Sequence, residues 1–162
     1  MFYKRFLNPS YLMSLKPNAR AVVRGSGDYP QIRGEVSFYS TSKGVIVSAQ
    51  IMGLPYSGKE CESSVYGFHI HSGENCKGNS ADEFAEAMGH YNPLECPHPY
   101  HSGDLPPLFG NKGYAFLMFL TDKFTVKEIL GKTVIIHSSP DDFTSQPSGN
   151  SGAKIACGVI SR

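Results

Sequence analysis

Tryptophan is absent from this chain of 162 residues, and several other features are scarce. No uninterrupted apolar run approaches the ~20 residues that a helix needs to cross a bilayer, so no transmembrane helix is expected. Charged residues make up 18% and the formal net charge is +1, so the overall balance gives no reason to expect nucleic acid as a partner. Four cysteines are too few for a disulfide-dense scaffold. Cys61, Cys76, Cys96 and Cys157 contain no CxxC pair, which argues against zinc ribbons and thioredoxin-type motifs. Spacing alone leaves one disulfide, two, or four free thiols open. Residues 1–15 carry Lys4 and Arg5, but Asn8, Pro9 and Ser10 interrupt their apolar positions. A continuous signal-peptide core is therefore not expected there.

What is present describes one globular domain. An apolar fraction of 40% is ordinary, and the length suffices for a real core. Residues 1–18 are expected to form an N-terminal extension and residues 19–162 the domain. Period-two alternation marks strands at Arg20–Gly25, Ile32–Ser40 and Val45–Met52, with Val45, Val47, Ala49 and Ile51 on one face. Further strands are expected at Val65–His71, Tyr114–Leu120, Thr133–His137 and Lys154–Ile160. Many short strands joined by Gly/Pro-rich turns imply an all-β antiparallel sandwich or barrel. Capping-box spacings predict two short helices, one after Ser80 with Glu83 and one after Thr125 with Glu128. Two long irregular stretches, 72–113 and 138–153, have the length of functional loops.

All six histidines fall in metal-ligand spacings: His69, His71, His90, His98, His101 and His137. His69 and His71, two apart on a strand, point to the same face. His98, His101 and Asp104 lie within seven residues of one another. Three imidazoles with a carboxylate suit Zn²⁺, and an all-imidazole set suits Cu²⁺. Four imidazoles for copper and three for zinc exceed the six available by one. A shared imidazolate removes the excess.

The segments Gly67-Phe68-His69-Ile70-His71, Gly89-His90-Tyr91-Asn92-Pro93, His98 with His101-Ser102-Gly103-Asp104-Leu105, Gly131–His137 and Gly149–Ile160 together resemble the copper–zinc superoxide dismutases. The resemblance runs from about Ala19 to Ser161, and the fold of that family is a sandwich of antiparallel sheets. It implies a Greek-key β-sandwich or flattened eight-stranded barrel, immunoglobulin-like, with two long functional loops. It also implies copper on His69, His71, His90 and His137, and zinc on His90, His98, His101 and Asp104, with His90 as bridge. Asp141 matches the aspartate that links a copper histidine to a zinc histidine, and Cys76 and Cys157 match the family disulfide. The spacing of Cys76 from His71 looks bacterial.

The implied activity is dismutation of superoxide to O₂ and H₂O₂ by a Cu(II)/Cu(I) cycle, with His90 as proton carrier and Lys154 as electrostatic guide. Lys154 stands where the family usually has Arg, keeping the charge and losing the planar fork. That departure motivates an alternative of another class, a copper- and zinc-binding module for storage or delivery. The family and its disulfide imply an exported location, periplasmic or extracellular, and a monomer or homodimer that meets neither nucleic acid nor membrane.

Overall fold

The computed structural model describes residues 15–61 and 64–162, so most of the expected N-terminal extension lies outside the described residues. The chain is all-β. Strands β1 (Ala19–Gly25), β2 (Arg33–Thr41) and β3 (Gly44–Met52) form a meander. They are followed by β4 (Val65–Tyr66), β5 (Phe68–His71), β6 (Leu108–Phe109), β7 (Tyr114–Thr121), β8 (Thr133–His137) and β9 (Lys154–Ser161). Seven of them make one antiparallel sheet in the order β5-β8-β9-β1-β2-β3-β7, and β4 pairs with β6 as a separate two-stranded ribbon. The chain passes across this sheet between β3 and β5, returns between β5 and β7, and crosses again between β7 and β8. Those long crossings give the sheet its Greek-key character. It curls into a half-barrel around one core.

That core follows from the alternation. Ala21 and Val23 of β1, Val36 and Phe38 of β2, and Val47, Ala49 and Ile51 of β3 are all fully buried. They meet Phe68 and Ile70 of β5, Val134 and Ile136 of β8, and Ile155 and Ile160 of β9. The outward positions of β2 and β3 are not all polar. Tyr39 and Ile46 are also buried, with Met118 of β7 packed on them. Burial of this kind stabilises by roughly 25 cal/mol per Å² of apolar surface removed from water.

The expected Val65–His71 strand divides at Gly67. Val65 and Tyr66 pair with Phe109 and Leu108, whereas Phe68–His71 pairs with β8. The helix expected after Ser80 is also replaced. Only a 3₁₀ turn, Ala85–Ala87, forms there. The carboxylate expected to cap it, Glu83, is spent on the backbone N–H of Gly27, 56 residues away, at 2.7 Å. Asn79 takes over locally, its Oδ1 accepting from the N–H groups of Ala81 and Asp82. The Thr125 expectation holds: Glu128 accepts from the Thr125 N–H at 2.6 Å ahead of a one-turn helix, Val126–Ile129. Cys76 and Cys157 are bridged, which ties the first long loop to β9. Cys61 and Cys96 are free thiols.

Candidate metal centre

Strand register delivers three of the six histidines. His69 and His71 alternate with Phe68 and Ile70 on β5, so both imidazoles leave the same face and both are buried. β5 lies antiparallel to β8, with His69 opposite Ile135 and His71 opposite Thr133. His137 ends β8 where the pairing with β9 slips between Ile136 and His137. Such an irregularity re-aims a side chain, and here the imidazole of His137 reaches the pair on β5.

The first long loop supplies the rest by returning along β5 twice. The Tyr91 N–H donates to the Ile70 carbonyl at 2.8 Å, beside an isolated backbone bridge between His71 and His90. On the second pass the Ile70 N–H donates to the Gly103 carbonyl at 2.9 Å, and the backbone of Asp104 bridges to that of His69. Only glycine permits that approach, since a Cβ on residue 103 would sit 2.2 Å from the Ile70 carbonyl oxygen.

The side chains gather into two groups that share His90. His69, His71, His90 and His137 offer ligand atoms within 4.8 Å of one another, as do His90, His98, His101 and Asp104. Four of the imidazoles are turned by a partner on the far side. His69 Nε2–H donates to Asp141 Oδ2 at 2.7 Å, and His98 Nε2–H donates to Asp141 Oδ1 at 2.9 Å. His71 Nδ1–H donates to the Met88 carbonyl at 2.7 Å, and His137 Nδ1–H to the Gly152 carbonyl at 3.2 Å. These bonds fix the tautomers and leave the opposite nitrogens as lone pairs.

The freed nitrogens have no hydrogen-bonding use within the protein. His69 Nδ1, His90 Nε2 and His98 Nδ1 are buried without a hydrogen-bond partner. His98 Nδ1 lies 3.1 Å from Asp104 Oδ2, but the orientation is not that of a hydrogen bond. The facing Nε2 atoms of His71 and His137 are 3.2 Å apart, two lone pairs with no proton between them. Buried unsatisfied acceptors are costly, and a cation held among them removes the cost. Four imidazoles fit copper; three imidazoles and a carboxylate fit zinc.

Electrostatics favour the ligand forms. Burial, then the neighbouring His137 and His90, holds His71 well below the usual histidine value. Burial and His69 depress His137 to about 3. Burial also lowers His69, against the pull of Asp141. For Asp104, burial raises the carboxyl, but the hydrogen bond to His90 and the surrounding imidazoles outweigh it. Asp141 is lowered too: burial raises it, but its bonds to His69, the Phe143 N–H and His98 outweigh that. Neutral imidazoles and ionised carboxylates are what a metal binds.

Besides the Gly152 carbonyl, the second long loop reaches the site through three contacts. Asp141 is the first. Gln146 is the second, accepting from the His98 N–H at 3.0 Å and donating to the His98 carbonyl at 2.7 Å. Gly149 is the third. It has φ +70°, and a Cβ there would lie 2.1 Å from Asp141 Oδ1. Sequence reasoning had no signal for Gln146 or for the Met88 and Gly152 carbonyls.

A cleft of about 730 Å³ opens over His71, His90 and His137, with Lys154 on its wall. Lys154 Nζ donates to Asp82 Oδ2 at 2.7 Å and to the Phe84 carbonyl at 3.0 Å.

Comparisons with known proteins bear on the family and the fold. Residues 32–160 match the family described as Copper/zinc superoxide dismutase (SODC). "Superoxide dismutase [Cu-Zn] 2" of Aquifex aeolicus is 31% identical over 169 residues, covering 95% of this chain and 91% of the relative. The Legionella pneumophila protein "Superoxide dismutase [Cu-Zn]" is 31% identical over 156 residues, 91% and 90% of the two chains. Among solved structures, the Cu/Zn superoxide dismutase from Brucella abortus superposes with a TM-score of 0.72 at 23% identity, covering 89% of this chain and all of that one. That likeness concerns the fold. A double mutant of a SOD-like protein from Bacillus subtilis gives 0.69 at 29% identity, over 86% and 95%.

Proposed function

The chain belongs to the copper/zinc superoxide dismutase family, and on that premise we propose that it dismutates superoxide at a copper–zinc centre bridged by His90. The observation that carries the proposal is the set of ring nitrogens that are buried, freed by a partner on the opposite nitrogen, and turned toward one another.

His69, His71, His90 and His137 would hold copper, and His90, His98, His101 and Asp104 would hold zinc. When bound, the metals supply a reversible one-electron couple from copper and a fixed positive charge from zinc. The chain's own residues do the rest. His90 Nε2, buried and without another partner, holds one proton and returns it to the reduced oxygen species; with a second proton from solvent, two superoxide anions leave as O₂ and H₂O₂. Asp141 keeps His69 and His98 in their tautomers and couples the two halves of the site. Lys154 supplies positive charge on the cleft wall beside the histidines, where the anion is held once it has entered. Residues 19–162 act as one domain.

The test is superoxide decay by pulse radiolysis with protein loaded with copper and zinc, with His137→Ala as control. The expected result is rapid decay that the control loses. A rate equal to that of free solution would overturn the reading and leave a metal-storage module.

The bridged Cys76–Cys157 pair supports an exported location, because such a bond persists in an oxidising compartment. Among the described residues no helix is long and apolar enough to cross a membrane. Fractionation of the producing cells, with the disulfide state read by thiol labelling, tests the compartment.

A further inference from the structure

The cleft over the histidines is walled by more negative than positive charge. Apart from histidines, its ionisable carboxylate and ammonium groups among the described residues are Asp28, Asp82, Glu83 and Lys154. Three carboxylates against one ammonium leave a net charge of −2. The ammonium is itself engaged. Asp82 Oδ2 lies 2.7 Å from Lys154 Nζ, and the Lys154 side chain is only 15% exposed.

Asp82 is not a loose surface carboxylate that happens to be near. Its Oδ1 accepts from the Phe84 N–H at 2.9 Å, and its backbone N–H donates to Asn79 Oδ1 at 3.1 Å. Its carbonyl accepts from the N–H groups of Asn79 and Ala85. The same loop is bonded to β9 through Cys76 and Cys157, three residues beyond Lys154. The lysine and its partner are therefore held together by the fold on both sides.

We propose that Asp82 is a positioning residue that seats Lys154 and masks its charge, so that this cleft does not draw anions in from a distance. The inference rests on the dismutase reading. Steering by a protein field raises association rates and weakens as salt is added. A masked cation and a net negative wall offset the charge of the metal ions held beneath them, so added salt leaves the rate level or raises it. Removing the Asp82 charge unmasks Lys154 and introduces ordinary steering.

Three proteins separate the possibilities: the metal-loaded parent, Asp82→Asn, and Asp82→Asn with Lys154→Gln. Superoxide decay is followed from low to physiological ionic strength. Azide, a small anion, is titrated in parallel and read from the copper absorption band. The parent is expected to show a flat or rising rate with salt. Asp82→Asn gains about threefold in rate at low salt, binds azide more tightly by a similar factor, and acquires a rate that falls with salt. Adding Lys154→Gln abolishes those gains. Asp28→Asn removes a carboxylate without touching the Lys154 contact, is expected to give a smaller gain, and serves if Asp82→Asn does not fold. A parent rate that falls steeply with salt, or an Asp82→Asn protein with unchanged rate and azide affinity, would overturn the inference. A parent without dismutase activity would overturn the functional reading instead, while azide titration of the same proteins still decides whether Asp82 masks Lys154.

Discussion

In one half of the centre, His69, His71 and His137 ride on strands; in the other, His98, His101 and Asp104 all come from a loop. The strand-borne imidazoles are placed by register. Ile135 opposite His69 and Ile136 next to His137 are fully buried, so misplacing a ligand means disturbing the sheet. Within the loop-borne set only the backbone of Asp104 meets β5, and the set has no register along its own length. It is held from outside by Asp141 and Gln146, and by Lys123, whose Nζ donates to the His101 carbonyl at 3.3 Å. One half is prepared by the core, the other by tethers. The two halves should therefore fail in different ways.

The largest disturbance would blur the distinction. Replacing Cys76 and Cys157 by alanine releases a link across 81 residues, worth about 4 kcal/mol in the chain-entropy view. The melting temperature should fall by roughly 10 °C, and a calorimetric scan checks it. An unchanged melting temperature would mean that the loop is held without the bridge. Asp141→Ala comes next. It unseats rings in both halves, but only His98 lacks a strand beneath it. Zinc affinity, measured by competition with a chromophoric chelator, should fall by about 10- to 100-fold, and copper affinity by less. An equal loss of both metals would break the comparison. Gln146→Ala removes only two hydrogen bonds to the His98 backbone. A loss of about fivefold or more in zinc affinity is expected, with the copper absorption spectrum unchanged.

The remaining effect concerns pH in the metal-free protein. Folding depresses His69, His71 and His137, so below about 6.5 the unfolded chain binds protons that the folded chain refuses. Stability present at neutral pH is therefore lost as pH falls from 6.5, with the His137 part exhausted near 3. Asp104 and Asp141 are also depressed by folding, but from 3.8, so their contribution disappears only below that value. The melting temperature should decline in two stages, the imidazole stage first. A single transition confined below about pH 4 would remove the basis for treating the two sets as separately prepared.

This division also explains what was legible in the sequence. β8 has the expected bounds, Thr133–His137, and β3 begins one residue earlier than its apolar alternation predicts, because strands announce themselves through their apolar pattern. His69 and His71 were readable as a pair for the same reason. The placement of His98 depends on Gln146, 48 residues away, and a lone glutamine in a loop has no pattern to betray it. The Met88 and Gly152 carbonyls that turn His71 and His137 are backbone atoms, present at every residue and therefore silent. The helix expected after Ser80 failed because Glu83 found a distant backbone partner that local spacing cannot reveal.

One consequence of the sheet concerns the chain before it has folded. β7, Tyr114–Thr121, is the terminal strand of the seven-stranded sheet and reads Tyr-Ala-Phe-Leu-Met-Phe-Leu-Thr, eight residues without a charge or a proline. A segment of that composition templates pairing with other chains when it is uncovered. Lys112 stands just before it and Asp122 and Lys123 just after, the positions where charge interrupts such growth. The lysine that steadies the histidine loop in the finished protein is thus also a gatekeeper against aggregation while the protein is being made.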